Sequence, residues 1–170
     1  MAADFNTAMQ LENELWHFAL DFYSKPEVEK TCLRLQDEYG LSVNRVIFSC
    51  WCGIQGVQLT EAEFQGEAVE WQSEITHPLR ALRNKVREQK ELFPECYRKL
   101  RQAELACEQV ELSLLYIIAE KMPRTERKNS YLSEKNLQTY LKIQNLPIDK
   151  EITQYVSLLI GVLNEHYVAK

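Results

Sequence analysis

Basic residues concentrated between positions 80 and 101 have the clearest chemical potential in this chain, because clustered cationic groups bind anions such as phosphate. Arg80, Arg83 and Arg87 recur at intervals of three and four residues, so they share one face of a helix and could follow a nucleic-acid backbone. The complete candidate site, here called the basic stripe, consists of Arg80, Arg83, Arg87, Lys90, Arg98, Lys99 and Arg101.

Acidic segments on either side of the basic stripe allow a second interpretation. Residues 61–75 contain five glutamates, residues 102–120 contain four, and neither segment has a Lys or Arg. If these helices pack beside the stripe, their carboxylates would neutralise it on a solvated surface. The net charge of −5 supplies no overall attraction to nucleic acid. The sequence leaves open whether the stripe is free or salt-bridged.

Side chains that commonly carry catalysis or bind metals occur without a recognisable arrangement. Cys50 and Cys52 would point to different faces of a helix, and the five cysteines show no repeated spacing. His17, His77 and His166 are scattered, and no nucleophile motif or glycine-rich phosphate loop is present. We therefore predict a non-enzymatic protein with no catalytic residues, no cofactor, no metal site and no disulfide framework.

Two further groups of residues could contribute to a ligand site. Gln36, Asp37 and Asn44 flank the turn at Gly40, where such side chains usually cap helices and bind turn amides. Tryptophans could line an aromatic pocket for a small molecule, although in helical proteins they more often pack in the core. The three tryptophans are Trp16, Trp51 and Trp71.

Helices must position all of these residues. The chain has only five glycines and five prolines in 170 residues, and its apolar residues recur at helical spacing. This pattern predicts an all-α, single-domain bundle of about seven helices over residues 1–170, with a possible sub-division near residues 123–132. It includes a basic helix at about 79–92 and a long central helix at about 94–122.

Turn-forming residues and apolar stripes predict the helix ends and the buried faces. Gly40 should end the second helix, and Pro78 should kink or end a later helix near Thr76. The buried centre is predicted to include Trp16, Phe18, Phe22, Val28, Leu35, Ile47 and Trp51.

Composition predicts a globular cytoplasmic protein. The chain is 45% hydrophobic and 10% aromatic, which argues against disorder. Its first four residues do not begin a signal peptide, and its longest apolar stretches are too short to span a bilayer. We expect no membrane association.

Residues 15–51 carry the most distinctive sequence pattern. It consists of Leu15-Trp16-x-Phe18-Ala19-x-x-Phe22-Tyr23, Cys32-Leu33-x-Leu35-Gln36-Asp37, and Val43-Asn44 followed by Phe48 and Trp51. The pattern resembles a gammaproteobacterial family of small cytoplasmic proteins, mostly recorded as of unknown function, which has no assigned site residues to carry over. A weaker resemblance is to the type VI secretion regulator A proteins, and it implies a role in transcriptional repression.

These observations predict a non-enzymatic cytoplasmic regulatory protein, a repressor-type transcriptional regulator that acts through protein contacts and has the basic stripe as its candidate DNA surface. Two alternatives stay open: an adaptor without a nucleic-acid role, and a small-molecule-binding helical domain. A protein partner is expected, and DNA and a second copy of the chain are further candidate partners. A deep pocket with converging polar groups would favour the small-molecule alternative.

Overall fold

The computed structural model describes residues 9–126 and 129–168, in which the chain forms eight α-helices and no β-strand. The helices are α1 (Glu14–Tyr23), α2 (Pro26–Tyr39), α3 (Val43–Ile54), α4 (Glu67–Trp71), α5 (His77–Arg87), α6 (Pro94–Glu120), α7 (Ser130–Ile143) and α8 (Lys150–His166). A 3₁₀ turn (Glu61–Phe64) precedes α4, and a π-helical turn (Gln72–Thr76) joins α4 to α5. The predicted all-α, single-domain fold is confirmed.

Local signals define the ends of the first three helices. Asn13 begins α1, because its side-chain oxygen accepts a hydrogen bond of 2.8 Å from the Trp16 amide. Gly40 ends α2 with a φ of 68°, as predicted. Ser42 begins α3, where its hydroxyl accepts from the Arg45 amide.

The helix before Pro78 is interrupted near Thr76, as predicted, but the interruption is a π-helical turn. Proline has no amide hydrogen to donate to the preceding helical turn, and a π turn locally changes the hydrogen-bonding register. The basic helix α5 then runs from His77 to Arg87 and ends five residues before the expected Leu92.

One hydrophobic core includes residues of every described α-helix except α5 and is centred on α3, in which ten of twelve residues are buried. The buried part of the long helix α6 begins at Glu104. The predicted core residues that are buried are Phe18, Phe22, Val28, Leu35, Ile47 and Trp51. Trp16 is the exception, because it is only partly buried and packs against the edge of this core.

The predicted sub-division near residues 123–132 includes residues 127 and 128, which lie outside the described residues. The N-terminal residues considered as a signal peptide belong to residues 1–8, which also lie outside them. The helices before and after 123–132 contribute to the same core. Among the described residues, no helix is long and apolar enough to cross a membrane.

Replacing Gly53 with alanine should destabilise the protein, because a Cβ atom at this position would lie 2.0 Å from the backbone nitrogen of Ser133 on α7. The two helices would have to separate, and overpacking of this kind costs about 1–3 kcal/mol in the free energy of unfolding. Urea denaturation measures the loss. The matched control is Gly161→Ala in α8, where no atom lies within 4 Å and alanine should stabilise the helix by about 0.5–1 kcal/mol. Equal stabilities of the two variants would contradict the close packing of α3 on α7.

Candidate ligand-binding cavity

A cavity of about 1030 Å³ opens between α1, α2, the start of α3, the π-helical turn, α5 and α6. Its lining includes apolar and aromatic side chains: Trp16, Leu20, Tyr23, Leu33, Ile47 and Leu112. It also includes polar and charged side chains: Ser42, Asn44, Gln72, Arg80, Arg101, Glu108 and Glu111. A concave site with apolar walls and a few converging polar groups is the usual form of a small-molecule site.

Glu111 is the least exposed carboxylate of this lining, with 1% of its surface accessible. The Asn44 side-chain nitrogen donates a hydrogen bond of 3.2 Å to its Oε2 atom. Its Oε1 atom has no hydrogen-bond partner among the described residues. Burial raises the pKa of Glu111 to about 7, although the charge of Arg45 and the hydrogen bond from Asn44 act in the opposite direction. Glu111 is therefore a desolvated carboxyl group that is only partly paired.

Two arginines of the basic stripe are held by carboxylates of α6. Arg80 donates from Nε to Glu104 at 2.6 Å and from Nη2 to Glu108 at 2.7 Å. Arg83 donates from Nε to the second oxygen of Glu104. Burial opposes the ionisation of Glu104, but the hydrogen bonds from the two arginines outweigh it and lower the pKa of this carboxyl. These charges are therefore engaged with one another at the cavity wall.

A buried polar network lies beside the cavity. Arg45 donates from Nη1 to the side-chain oxygen of Gln72, and the Gln72 nitrogen donates to the Ser42 hydroxyl at 2.8 Å. The Ser42 amide donates to the Tyr140 hydroxyl at 2.9 Å, which ties the start of α3 to α7. Gln72 belongs to the π-helical turn, so this unusual turn positions a side chain of the cavity.

The basic stripe is thus divided in the structure. Arg80 and Arg83 are paired with carboxylates of α6, and the exposed residues Arg98 and Lys99 lie within ion-pair distance of Glu95. Within the described ranges, three exposed members of the stripe have no ion pair: Arg87, Lys90 and Arg101. Any DNA contact along the stripe would therefore have to be made mainly by these three cations.

The other residues considered in the sequence have different positions. Asn44 and Gln36 line the cavity, whereas Asp37 is exposed outside its lining. Trp16 lines the cavity, but Trp51 and Trp71 do not. Trp51 packs against Tyr116 with ring centres 5.7 Å apart, and the Trp71 indole nitrogen donates to the Cys107 carbonyl at 2.9 Å.

Residue types and spacing did not distinguish Glu111, the most buried carboxylate of the site, from the other three glutamates of residues 102–120. The available signal was its place between Val110 and Leu112, at the start of the strongly apolar half of α6. A carboxylate among core positions is rarely fully buried unless it is paired or serves a function.

The cysteines are free thiols, and three of them lie in the core. Burial raises the pKa of Cys32 to about 12 and raises the pKa values of Cys50 and Cys52 well above their ordinary range. In the part of the chain that the structure describes, no group of three His, Cys, Asp or Glu side chains is arranged to hold a metal ion.

A family model described as "Protein of unknown function (DUF2390)" matches residues 14–115, which is more than half of the chain. The chain belongs to the DUF2390 family. Its predicted membership of an uncharacterised family is confirmed, whereas the gammaproteobacterial origin and the resemblance to type VI secretion regulators stay predictions. No match was found among curated proteins or solved structures.

The DUF2390 segment contains the whole described lining of the cavity, which extends from Trp16 to Leu112. It begins at the first residue of α1 and ends within the buried part of α6. The last two helices, α7 and α8, lie beyond the matched range. The cavity is therefore a feature of the family-matched part of the chain.

Proposed function

We propose that this DUF2390 protein is a non-enzymatic cytoplasmic regulatory protein that binds a small organic molecule in the cavity. The observation that carries the proposal is Glu111, a carboxylate with one unpartnered oxygen in the wall of a cavity of about 1030 Å³. A buried polar atom without a hydrogen bond costs free energy, and a ligand group that donates to this oxygen would offset that cost.

The regulatory part of the proposal is supported by the way the cavity joins two parts of the protein. One wall comes from α1–α3, and the other comes from α5 and the adjoining part of α6. Helix α5 has no buried residue, so a ligand between these walls would change how the α5–α6 hairpin is held.

The protein partner belongs to the same proposal. The α5–α6 hairpin displays large apolar side chains, with Leu82 50%, Leu92 74% and Phe93 55% exposed. Large apolar side chains exposed on one hairpin are suited to a protein contact. A repressor-type role in transcription rests on the resemblance to the type VI secretion regulators alone.

The non-enzymatic part of the proposal is supported by the state of the thiols. Cys32, Cys50 and Cys52 are buried, and their raised pKa values keep them protonated at neutral pH. Arg80 and Glu104 are engaged in hydrogen bonds with each other. Such groups stabilise the fold and the cavity wall.

Ligand-observed NMR with a defined library of small amines, carboxylates, alcohols and nucleosides tests the proposed function. We expect at least one compound to bind the wild-type protein and to bind the Leu20→Trp variant much more weakly. A larger side chain at this half-exposed lining position would reduce the volume of the cavity. The matched control is Leu158→Trp on α8, which is 39% exposed and lies outside the cavity lining. Binding of no compound, or equal binding by both variants, would reject the cavity as a ligand site.

Wild-type protein at tens of micromolar should retain no duplex DNA in a gel shift at low salt, because two arginines of the stripe are paired and the net charge is −5. The variant for comparison is Arg87→Glu/Lys90→Glu/Arg101→Glu, which reverses exposed cations and leaves the ion pairs of Arg80 and Arg83 intact. Retention by the wild type that is lost in this variant and weakens with salt would instead establish DNA contact along the stripe.

A further inference from the structure

We infer that the cavity binds an organic cation, a protonated amine or amidine attached to an apolar or aromatic body, with the cationic group against Glu111. This inference rests on the proposed function and specifies the chemical class of its ligand. It depends on the ion pairs of the α6 carboxylates in the lining, on the apolar residues that α1 and α2 contribute to the lining, and on the hydrogen bonds of Glu111.

Three carboxylates of α6 face the cavity at helical spacing: Glu104, Glu108 and Glu111. Two guanidinium groups contact them, and both contact only the first two carboxylates. Arg80 bridges Glu104 and Glu108, and Arg83 binds Glu104. Glu111 is therefore left without a contacting cation among the described residues.

Arg45 is the cation whose charge acts most strongly on Glu111, and it does not form an ion pair with Glu111 in the described residues. Its Nη1 atom donates to Gln72, and its Nε and Nη2 atoms have no hydrogen-bond partner among the described residues. The charge of Arg45 lowers the pKa of Glu111, but burial of the carboxyl raises this pKa by more. A ligand cation could make the direct contact that Arg45 does not make.

The part of the lining that α1 and α2 contribute is suited to an apolar body. Leu20 and Leu33 line the cavity although they are 49% and 40% exposed, and partly buried Trp16 lies beside them. Covering such side chains stabilises a complex by about 25 cal/mol for each Å² of apolar surface removed from water. The tryptophan face also attracts cations.

The wall disfavours an anionic ligand. A carboxylate or phosphate group beside Glu111 and Glu108 would add negative charge to a low-dielectric region. Of the four arginines in the lining, Arg80 and Arg83 already donate to Glu104 and Glu108, and Arg98 is paired with Glu95. Arg101 is exposed and precedes Glu111 by about 15 Å along α6, which is too far to pair with an anion held at Glu111. The same features that leave Glu111 unpaired therefore select for a cation.

Cation binding should depend on pH, because a cation pairs with the ionised form of Glu111. The pKa of this carboxyl is raised to about 7 by burial, in the presence of Arg45, Arg80, Glu108 and Tyr140 on the surrounding helices. An acid with this pKa is about 3% ionised at pH 5.5, so affinity for a cation should fall about 30-fold between pH 8 and pH 5.5.

Isothermal titration calorimetry with three indole compounds tests the inference. Tryptamine, tryptophol and indole-3-propionate share an indole ring and a two-carbon chain, and end in an ammonium, a hydroxyl and a carboxylate group. At pH 8 we expect tryptamine to bind the wild-type protein at least about tenfold more tightly than the other two, a ratio typical of one charge-assisted hydrogen bond. Phenethylamine and 2-phenylethanol repeat the comparison with a smaller ring.

Two variants assign the effect to Glu111. Glu111→Gln keeps the size of the side chain and removes its charge, so it should weaken tryptamine at least about tenfold and abolish the pH dependence. Glu88→Gln removes one exposed carboxylate outside the cavity and should bind like the wild type. Circular dichroism checks that both variants are folded.

The possible outcomes separate the ligand class from the proposed function. Tighter binding of tryptamine that Glu111→Gln abolishes supports the inference. If tryptophol or indole-3-propionate binds more tightly than tryptamine, and this binding is lost in the Leu20→Trp variant, the inferred cationic ligand class is rejected. The cavity then remains supported as a ligand-binding site. Equal binding of tryptamine by wild type and Glu111→Gln also overturns the inference. Absence of binding by every compound in both experiments rejects the ligand class and the proposed function together.

Discussion

Replacing Trp51 with alanine should lower the free energy of unfolding by about 3–5 kcal/mol, a large part of the stability of a domain of this size. Trp51 is 2% exposed, lies on the central helix α3 and packs against Tyr116 of α6. Its truncation would leave a cavity between two helices that meet in the core. Urea denaturation followed by circular dichroism measures the change.

Trp16→Ala is the matched control, because Trp16 is also a tryptophan but lies at the edge of the core. It should destabilise the protein less than Trp51→Ala, since less apolar surface is removed from a buried environment. It should also weaken the binding of any ligand in the cavity, because Trp16 lines the cavity and Trp51 does not. An unchanged denaturation midpoint for Trp51→Ala would show that the burial assigned to α3 is wrong.

The second large effect concerns Glu111→Gln and the pH dependence of stability. Burial raises the pKa of Glu111 from 4.5 to about 7 in the folded protein. Between these values the folded protein binds more protons than the unfolded chain, so the contribution of Glu111 to stability is present below pH 4.5 and is lost as pH rises to about 7. The shift corresponds to about 3 kcal/mol.

Glu111→Gln should therefore gain about 3 kcal/mol relative to the wild type between about pH 4.5 and pH 8. Urea denaturation of both proteins at several pH values in this range measures the difference in their free energies of unfolding. The contributions of the carboxylates that both proteins share cancel in this difference. Glu88→Gln, which changes an exposed glutamate, should follow the wild type at each pH. A constant difference between Glu111→Gln and the wild type would mean that Glu111 ionises normally in the folded protein.

The core and the cavity share helix α6, which contains both Tyr116, the packing partner of Trp51, and Glu111. Leu112, Leu114 and Leu115 are buried beside Glu111, so the carboxyl is held in place by the packing that desolvates it. Disturbing the core around Trp51 and Tyr116 should for this reason also disturb the cavity. Ligand titrations of any core variant should be made only where circular dichroism shows a folded protein.

Helical spacing in the sequence predicted which residues share one face of a helix, but not which residues form ion pairs with them. It placed Arg80 and Arg83 correctly on one side of a helix, and it identified the acidic segments that flank them. It left open whether the two arginines are free, and the structure shows both of them paired with Glu104. The ion pair of Arg80 joins residues 24 positions apart, on different helices.

Residue types and their spacing were enough to predict the all-α class, the end of α2 at Gly40 and the interruption before Pro78. These features depend on backbone conformation and on contacts within about four residues, which the local residue types specify. Residue types and spacing did not predict that Glu111 lies without an ion pair in a cavity wall while the neighbouring Glu104 and Glu108 are paired. Desolvation and pairing depend on distant contacts: Asn44, the residue that donates to Glu111, is 67 positions away in the chain and reaches it only when α3 packs on α6.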